Sequence, residues 1–215
     1  MKLYPKNSVA LADVKRFVAI FYIVGTLGFL ISTTRSLFVL ITPIALLVGS
    51  YLLLLYHPHY TSKTILSFII IALLGFFVEV LGVKTGLVFG NYAYGRALGV
   101  KLLDTPLLIG LNWLFLSYSC YSIVWKLKIN GWIRLFTAPL LMLTYDIFLE
   151  QVAPKTEMWY WENASPSIRN YVAWYVVGFV FTALLLVCKV DTGNKLAKLL
   201  FFSQLLFFAI LTFFI

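Results

Sequence analysis

Residues 78–99 read VEVLGVKTGLVFGNYAYGRALG, a segment rich in glycines and aromatics that carries charges, set between two long apolar runs. In a chain that is otherwise almost entirely hydrocarbon, such a stretch is expected to line a cavity. Irregular backbone at membrane depth must find partners in protein or trapped water. Glu79 sits at the end of the preceding apolar run, and an ionisable group placed there is costly enough to point to function. Glycines at 82, 86, 90, 95 and 99 allow tight bends and close backbone approach. Phe89, Tyr92 and Tyr94 supply flat apolar faces, and the combination suits a long, greasy ligand.

Outward from this segment the apolar runs fall at 14–32, 36–56, 62–82, 102–125, 132–150, 168–189 and 196–215. Each has the length of a membrane span. With 62% hydrophobic and 12% charged residues and a mean hydropathy of +0.95, the composition departs from the roughly half apolar, one-quarter charged mix of soluble domains. The fold class expected is all-α, a polytopic transmembrane helical bundle of about seven helices, with residues 1–215 forming a single integral-membrane domain. The first run has a basic flank and no small-residue cleavage site after it, so it reads as an uncleaved helix.

The net charge of +9 reports topology and contact with anionic membrane lipid. No nucleic-acid partner is expected. Lys2, Lys6, Lys15, Arg16, Lys63, Lys126, Lys128, Arg134, Lys189, Lys195 and Lys198 fall on one side of alternating spans; Arg35, Lys84, Arg96, Lys101, Lys155 and Arg169 fall on the other. That bias places the protein in the cell membrane with a cytoplasmic N-terminus. STTRS, after the first run, reads as a short connection between antiparallel neighbours. The two long connections, 83–101 and 151–167, then lie on the same side and can meet. No internal repeat is expected. The only cysteines, Cys120 and Cys188, lie inside apolar runs and make no disulfide framework.

The residues that can carry chemistry are few. Asp146 and Glu150 are four apart and project from one helical face. Two carboxylates in a poorly hydrated site cannot both ionise easily, so one keeps a proton. The alternative is Glu150 at the interface and Asp146 paired with a Lys or Arg of another helix. Asp104 either belongs with these acids or caps the helix beginning near Pro106. Trp159 and Trp161 fit an interfacial aromatic belt. The histidines of the HPH at 57–59 fit the interface too, and two are too few for a membrane di-iron oxygenase. There is no Walker-type loop or nucleotide fingerprint. A retinal photoreceptor is disfavoured, because the last run has Lys195 and Lys198 only at its start. Intramembrane acids also occur in transporters, but broken helices in matched halves are not evident.

The run Glu79-x-x-Gly82-Val83-x-Thr85-Gly86-x-x-Phe89-Gly90-x-Tyr92-x-Tyr94, followed by Leu98-Gly99 and Pro106, resembles the signature of the bacterial and archaeal carotenoid biosynthesis membrane proteins. Asn112-Trp113, Asp146 with an acid at 150, Trp159-x-Trp161, and Asn170 with Trp174 continue the likeness over about residues 70–180; Gln151 departs from it where a proline is expected. The characterised members of that family are carotenoid hydratases. The resemblance implies water addition to the terminal double bond of an acyclic (ψ) end group, as in γ-carotene or a bisanhydrobacterioruberin-type chain, to give a tertiary alcohol. It further implies catalytic roles among Glu79, Asp146, Glu150 and Asp104. A substrate pocket is implied from Lys84, Thr85, Phe89, Tyr92, Tyr94, Trp113, Trp159, Trp161, Asn170 and Trp174. Neither metal nor cofactor is expected. The implied partners are a lipid-soluble carotenoid, membrane lipid and other carotenoid-pathway enzymes. Two alternatives stay open: another carotenoid-modifying membrane enzyme such as a cyclase, and a non-catalytic transporter or scaffold.

Overall fold

The computed structural model describes residues 4–127 and 129–215. Lys2 and Lys128, two of the residues in the charge bias, lie outside the described residues. Among those described there are seven helices: α1 Leu11–Leu30, α2 Ser32–Leu55, α3 Ser62–Thr85, α4 Leu108–Trp125, α5 Gly131–Val152, α6 Ile168–Val187 and α7 Ala197–Phe214. Four short strands lie in the connections: β1 Tyr92–Tyr94, β2 Lys101–Leu102, β3 Thr105–Pro106 and β4 Trp159–Trp161. Helices α2 to α7 are long and apolar enough to cross a membrane, and the chain is a multi-pass membrane protein. The first helix differs from the expectation of seven equivalent spans. Its first two turns hold Asp13, Lys15 and Arg16, which leaves only residues 17–30 uncharged.

Helix α4 is the axis of the bundle. Fourteen of its 18 residues are buried, and it packs against α2, α3, α5, α6 and α7. The other helices turn residues such as Leu40, Leu66, Phe136 and Val180 outward, as a lipid-facing surface requires. Glycines allow close approach between helices: Gly110 of α4 lies against the backbone carbonyl of Ala72 on α3, and Gly178 of α6 lies against Met142 and Pro139 on α5.

Two boundaries correct the expected runs. STTRS is not a connection; it opens α2, and Ile31 alone separates α1 from α2. The polar side chains of that turn satisfy carbonyls at the end of α1: Thr34 Oγ1 donates to Gly28 O at 2.8 Å and Arg35 Nε donates to Phe29 O at 2.8 Å. The fourth run begins as a helix at Leu108 rather than 102. Residues 101–106 form a hairpin in which Leu102 faces Thr105. Leu103 and Asp104, at φ 54° and 63°, occupy its two-residue turn, as the tight hairpin geometry demands. Asp104 is therefore a turn residue and does not cap α4.

At the opposite end of the bundle His57 corrects the interfacial reading of HPH. It is buried, whereas His59 is exposed. His57 Nε2 lies 2.8 Å from the carbonyl of His59 and Nδ1 lies 2.7 Å from the Tyr118 hydroxyl. A carbonyl can only accept, so the ring carries its proton on Nε2 and accepts from Tyr118 at Nδ1. Burial pushes this imidazole below its ordinary value, against smaller opposing pulls from the His59 carbonyl and Asp191. The unfolded chain then binds the proton more readily, so stability is complete above the unfolded value of about 6.5 and falls as pH drops below it. Thermal melting of detergent-solubilised protein is expected to follow this trend. His57→Gln, which has no proton to gain, is expected to flatten it; an unchanged slope would remove His57 as its source.

Candidate active site

The two long connections meet, as their expected placement on one side allows. Strands β1 and β4 pair antiparallel, with Tyr92 opposite Trp161, Ala93 opposite Tyr160 and Tyr94 opposite Trp159. Alternation along a strand sends the first and third residues to one face. Trp159, Trp161 and Tyr94 are buried and Tyr92 is half-buried, while Ala93 and Tyr160 are exposed. The ribbon is held at its end by Gly95 N–H to Met158 O at 2.9 Å and by an ion pair between Arg96 and Glu157. Gly95 has no room for a side chain, since a Cβ there would run into the Glu157 carbonyl.

Each strand braces a carboxylate of the helix that precedes it. From β1, the hydroxyls of Tyr92 and Tyr94 donate to Glu79 Oε2 at 2.5 and 2.8 Å, and Trp113 Nε1 of α4 donates to Oε1 at 2.9 Å. Burial, then the neighbouring Glu79, push both tyrosine hydroxyls upward, which keeps them protonated as donors. From β4, the indole N–H groups of Trp159 and Trp161 donate to Glu150 Oε2 at 3.2 and 2.7 Å. Neither tryptophan is the belt residue its position suggested. Asn170 Nδ2 of α6 donates to Glu150 Oε1 and to Asp146 Oδ2, both at 3.0 Å. Asp146 is fully buried and its Oδ1 has no partner among the described residues. No Lys or Arg of the described residues pairs with Asp146 or Glu150, contrary to the ion-pair alternative.

An internal repeat of layout, unexpected from the sequence, underlies this arrangement. Helix, aromatic strand and helix occur as α3–β1–α4 and again as α5–β4–α6. The 13 positions from Glu79 to Tyr92 recur between Asp146 and Trp159. Trp113 and Trp174, in the second helix of each unit, stack at 4.4 Å between ring centroids. By spacing Asp146 matches Glu79, yet Glu150, one turn nearer its strand, is the acid that meets the cavity.

Two cavities share a wall. The smaller, about 20 Å³, lies between Glu79 and Glu150 and is completed by Asn170 and by aromatic side chains that include Phe89 and Trp174. The larger, about 290 Å³, is almost wholly apolar and lies among α1, α2, α4, α5 and α7. Ile109 and Trp159 line both. Exposed Val24 and Ile44 also line the larger cavity, so it reaches the lipid-facing surface between α1 and α2.

Of the expected site residues, Glu79, Glu150, Phe89, Tyr92, Tyr94, Trp159, Trp161, Asn170 and Trp174 come together around the smaller cavity. Trp113 and Asp146 stand one layer behind, bonded to Glu79 and Asn170. Lys84, Thr85 and Asp104 are not brought there. All three are exposed; Lys84 pairs with Asp104 and holds its carboxyl below the usual carboxylate range, and Thr85 Oγ1 donates to Leu81 O at 2.6 Å. Sequence reasoning missed Tyr22, Tyr145 and Gln204 of the larger cavity, where Gln204 Nε2 donates to Tyr145 Oη at 2.8 Å. Gln204, a lone carboxamide inside an apolar run, was the readable signal.

The family model described as carotenoid biosynthesis protein matches residues 35–215. No curated protein and no solved structure matches the chain.

Proposed function

Since the chain belongs to the carotenoid biosynthesis protein family, we propose that it adds water to the terminal double bond of an acyclic carotenoid end group, giving a tertiary alcohol. The observation that carries this reading is the shared wall at Ile109 and Trp159, where an apolar cavity for a hydrocarbon end adjoins a pair of braced glutamates. A carotenoid is about as long as the hydrocarbon core is thick, roughly 30 Å. Only its end needs the cavity, and the rest of the polyene lies in lipid beyond Val24 and Ile44.

In this proposal Glu150 is the acid. Asp146 lies one turn below it, and Asn170 bridges the two, so the pair can hold one proton between them. The proton goes to the inner carbon of the double bond; a C–H bond forms as the π bond breaks, leaving a tertiary cation. The faces of the β1 and β4 aromatics stabilise that charge. Water attacks the cation through oxygen, and its surplus proton passes to Glu79, the carboxylate held by Tyr92, Tyr94 and Trp113. Return of a proton from Glu79 to Glu150 closes the cycle, with no change in redox state. In this proposal the end of the bundle that holds the site faces the exterior of the cell membrane, the orientation that the charge bias of the connections favours.

The test is expression in a host that accumulates lycopene and γ-carotene, with mass spectrometry of the pigments in ordinary and oxygen-18 water. A product heavier by one water, carrying the label, is expected. An isomer of unchanged mass would replace hydration by cyclisation. No new pigment from folded protein would remove the catalytic reading.

A further inference from the structure

We infer that the smaller cavity is a built site for one water molecule, and that Phe89 sets its size and so decides which nucleophile meets the cation. The inference rests on the hydration reading. A volume of about 20 Å³ exceeds the ~10–15 Å³ that one water needs and leaves no room for a larger molecule. The two glutamates that border it each accept three hydrogen bonds. A carboxylate offers about four acceptor positions, so Glu79 keeps one for a hydrogen of the water. The fourth position of Glu150 holds its own proton until that proton goes to carbon and is then open to the water's second hydrogen.

The donors around the cavity are nearly all committed elsewhere. Tyr92 and Tyr94 donate to Glu79, and Trp159 and Trp161 donate to Glu150. The Asn170 amide nitrogen serves Glu150 and Asp146. Among the described residues that line the cavity, the Trp174 indole N–H is the one donor left without a partner. Once Glu150 has given its proton to the alkene, a water here gives both hydrogens to carboxylates and keeps a lone pair free for carbon. When its C–O bond forms, one of those hydrogens already points at the oxygen of Glu79 that takes it.

Phe89 is buried and borders the smaller cavity but not the larger. It makes none of the side-chain hydrogen bonds to the carboxylates, so shortening it widens the water site while leaving their donors in place. The purified protein, Phe89→Ala and Phe89→Leu are assayed with γ-carotene in water containing methanol. The wild-type protein is expected to form the alcohol alone. Phe89→Ala is expected to form the methyl ether as well, in which methanol oxygen bonds to the cation and its hydroxyl proton passes to Glu79. Its ether-to-alcohol ratio is expected to exceed the wild-type ratio by at least about tenfold, the scale on which a pocket discriminates one carbon. Phe89→Leu covers the case in which the alanine variant does not fold.

In heavy water, Phe89→Trp, which fills the site, is expected to lose the alcohol while still passing deuterium into unreacted carotenoid. Equal ether-to-alcohol ratios in wild type and the shortened variants would overturn the inference. So would a Phe89→Trp variant that hydrates at the wild-type rate. A wild-type protein that forms neither alcohol nor deuterated carotenoid overturns the hydration reading itself, and the water site with it.

Discussion

Glu150→Gln is expected to lower formation of the hydrated carotenoid by at least about 100-fold, the lower end of what a positioned acid contributes. The amide has no proton to give. It also presents an N–H₂ where the carboxylate accepts from Trp159, Trp161 and Asn170, so at least one donor must face a donor. Glu79→Gln can turn its oxygen to the Trp113 N–H and its N–H₂ to the Tyr92 and Tyr94 hydroxyls, which accept as well as donate. It is expected to be equally inactive because the amide takes no proton from the attacking water. Asp146→Asn should be milder, because Asp146 reaches the cavity only through Asn170. Product yield by chromatography and mass spectrometry, on variants that elute as folded protein in detergent, reads these effects. Activity of Glu150→Gln within about tenfold of wild type would take Glu150 off the proton path.

Gly110→Ala is expected to destabilise the bundle by about 2–3 kcal/mol, the upper part of the usual range for overpacking. A Cβ at this position would strike the backbone carbonyl of Ala72 and come within 3.2 Å of Phe76 Cβ. A backbone carbonyl in a helix cannot swing aside as a side chain can. The strain must push α4 from α3, which stretches the Trp113–Glu79 bond and disturbs the site as well as the fold. Gly25→Ala is the matched control. Its new methyl would meet Phe207 at 3.8 Å, an ordinary contact, and melting in detergent should be unchanged. Similar melting temperatures for the two variants would mean that α3 and α4 separate freely.

The helices were legible because each span is a long apolar run, and nothing but a helix satisfies its backbone in lipid. Their inward faces were not. In most spans leucine, valine and phenylalanine lie on all sides and give little contrast; α4, with Asn112, Ser117, Ser119 and Ser122, is among the least apolar spans, which was the readable sign that it is the axis. The segment at 78–99 stood out for its glycines and aromatics, and its Glu79, Tyr92 and Tyr94 do converge. Asp104 misled because an acid before a proline fits a helix cap as well as a tight turn. Only the positive φ of Leu103 and Asp104 separates the two. His57 and His59 look alike in sequence, yet one is buried and bonded to Tyr118 on α4, 61 positions away. The doubled helix–strand–helix layout escaped notice because its halves share spacing and aromatic character but few identities.

The pairing of β1 with β4 sets more than the shape of a loop. One strand holds the hydroxyls on Glu79 and the other holds the indoles on Glu150, so the ribbon works as a calliper whose jaws are the two acids. Shifting the ladder by one residue would turn Ala93 inward beside the tryptophans, or Tyr160 inward beside the tyrosines, and carry both donors of one jaw away together. Damage to either strand should therefore be felt at both glutamates, and substitutions in the two strands should combine less than additively.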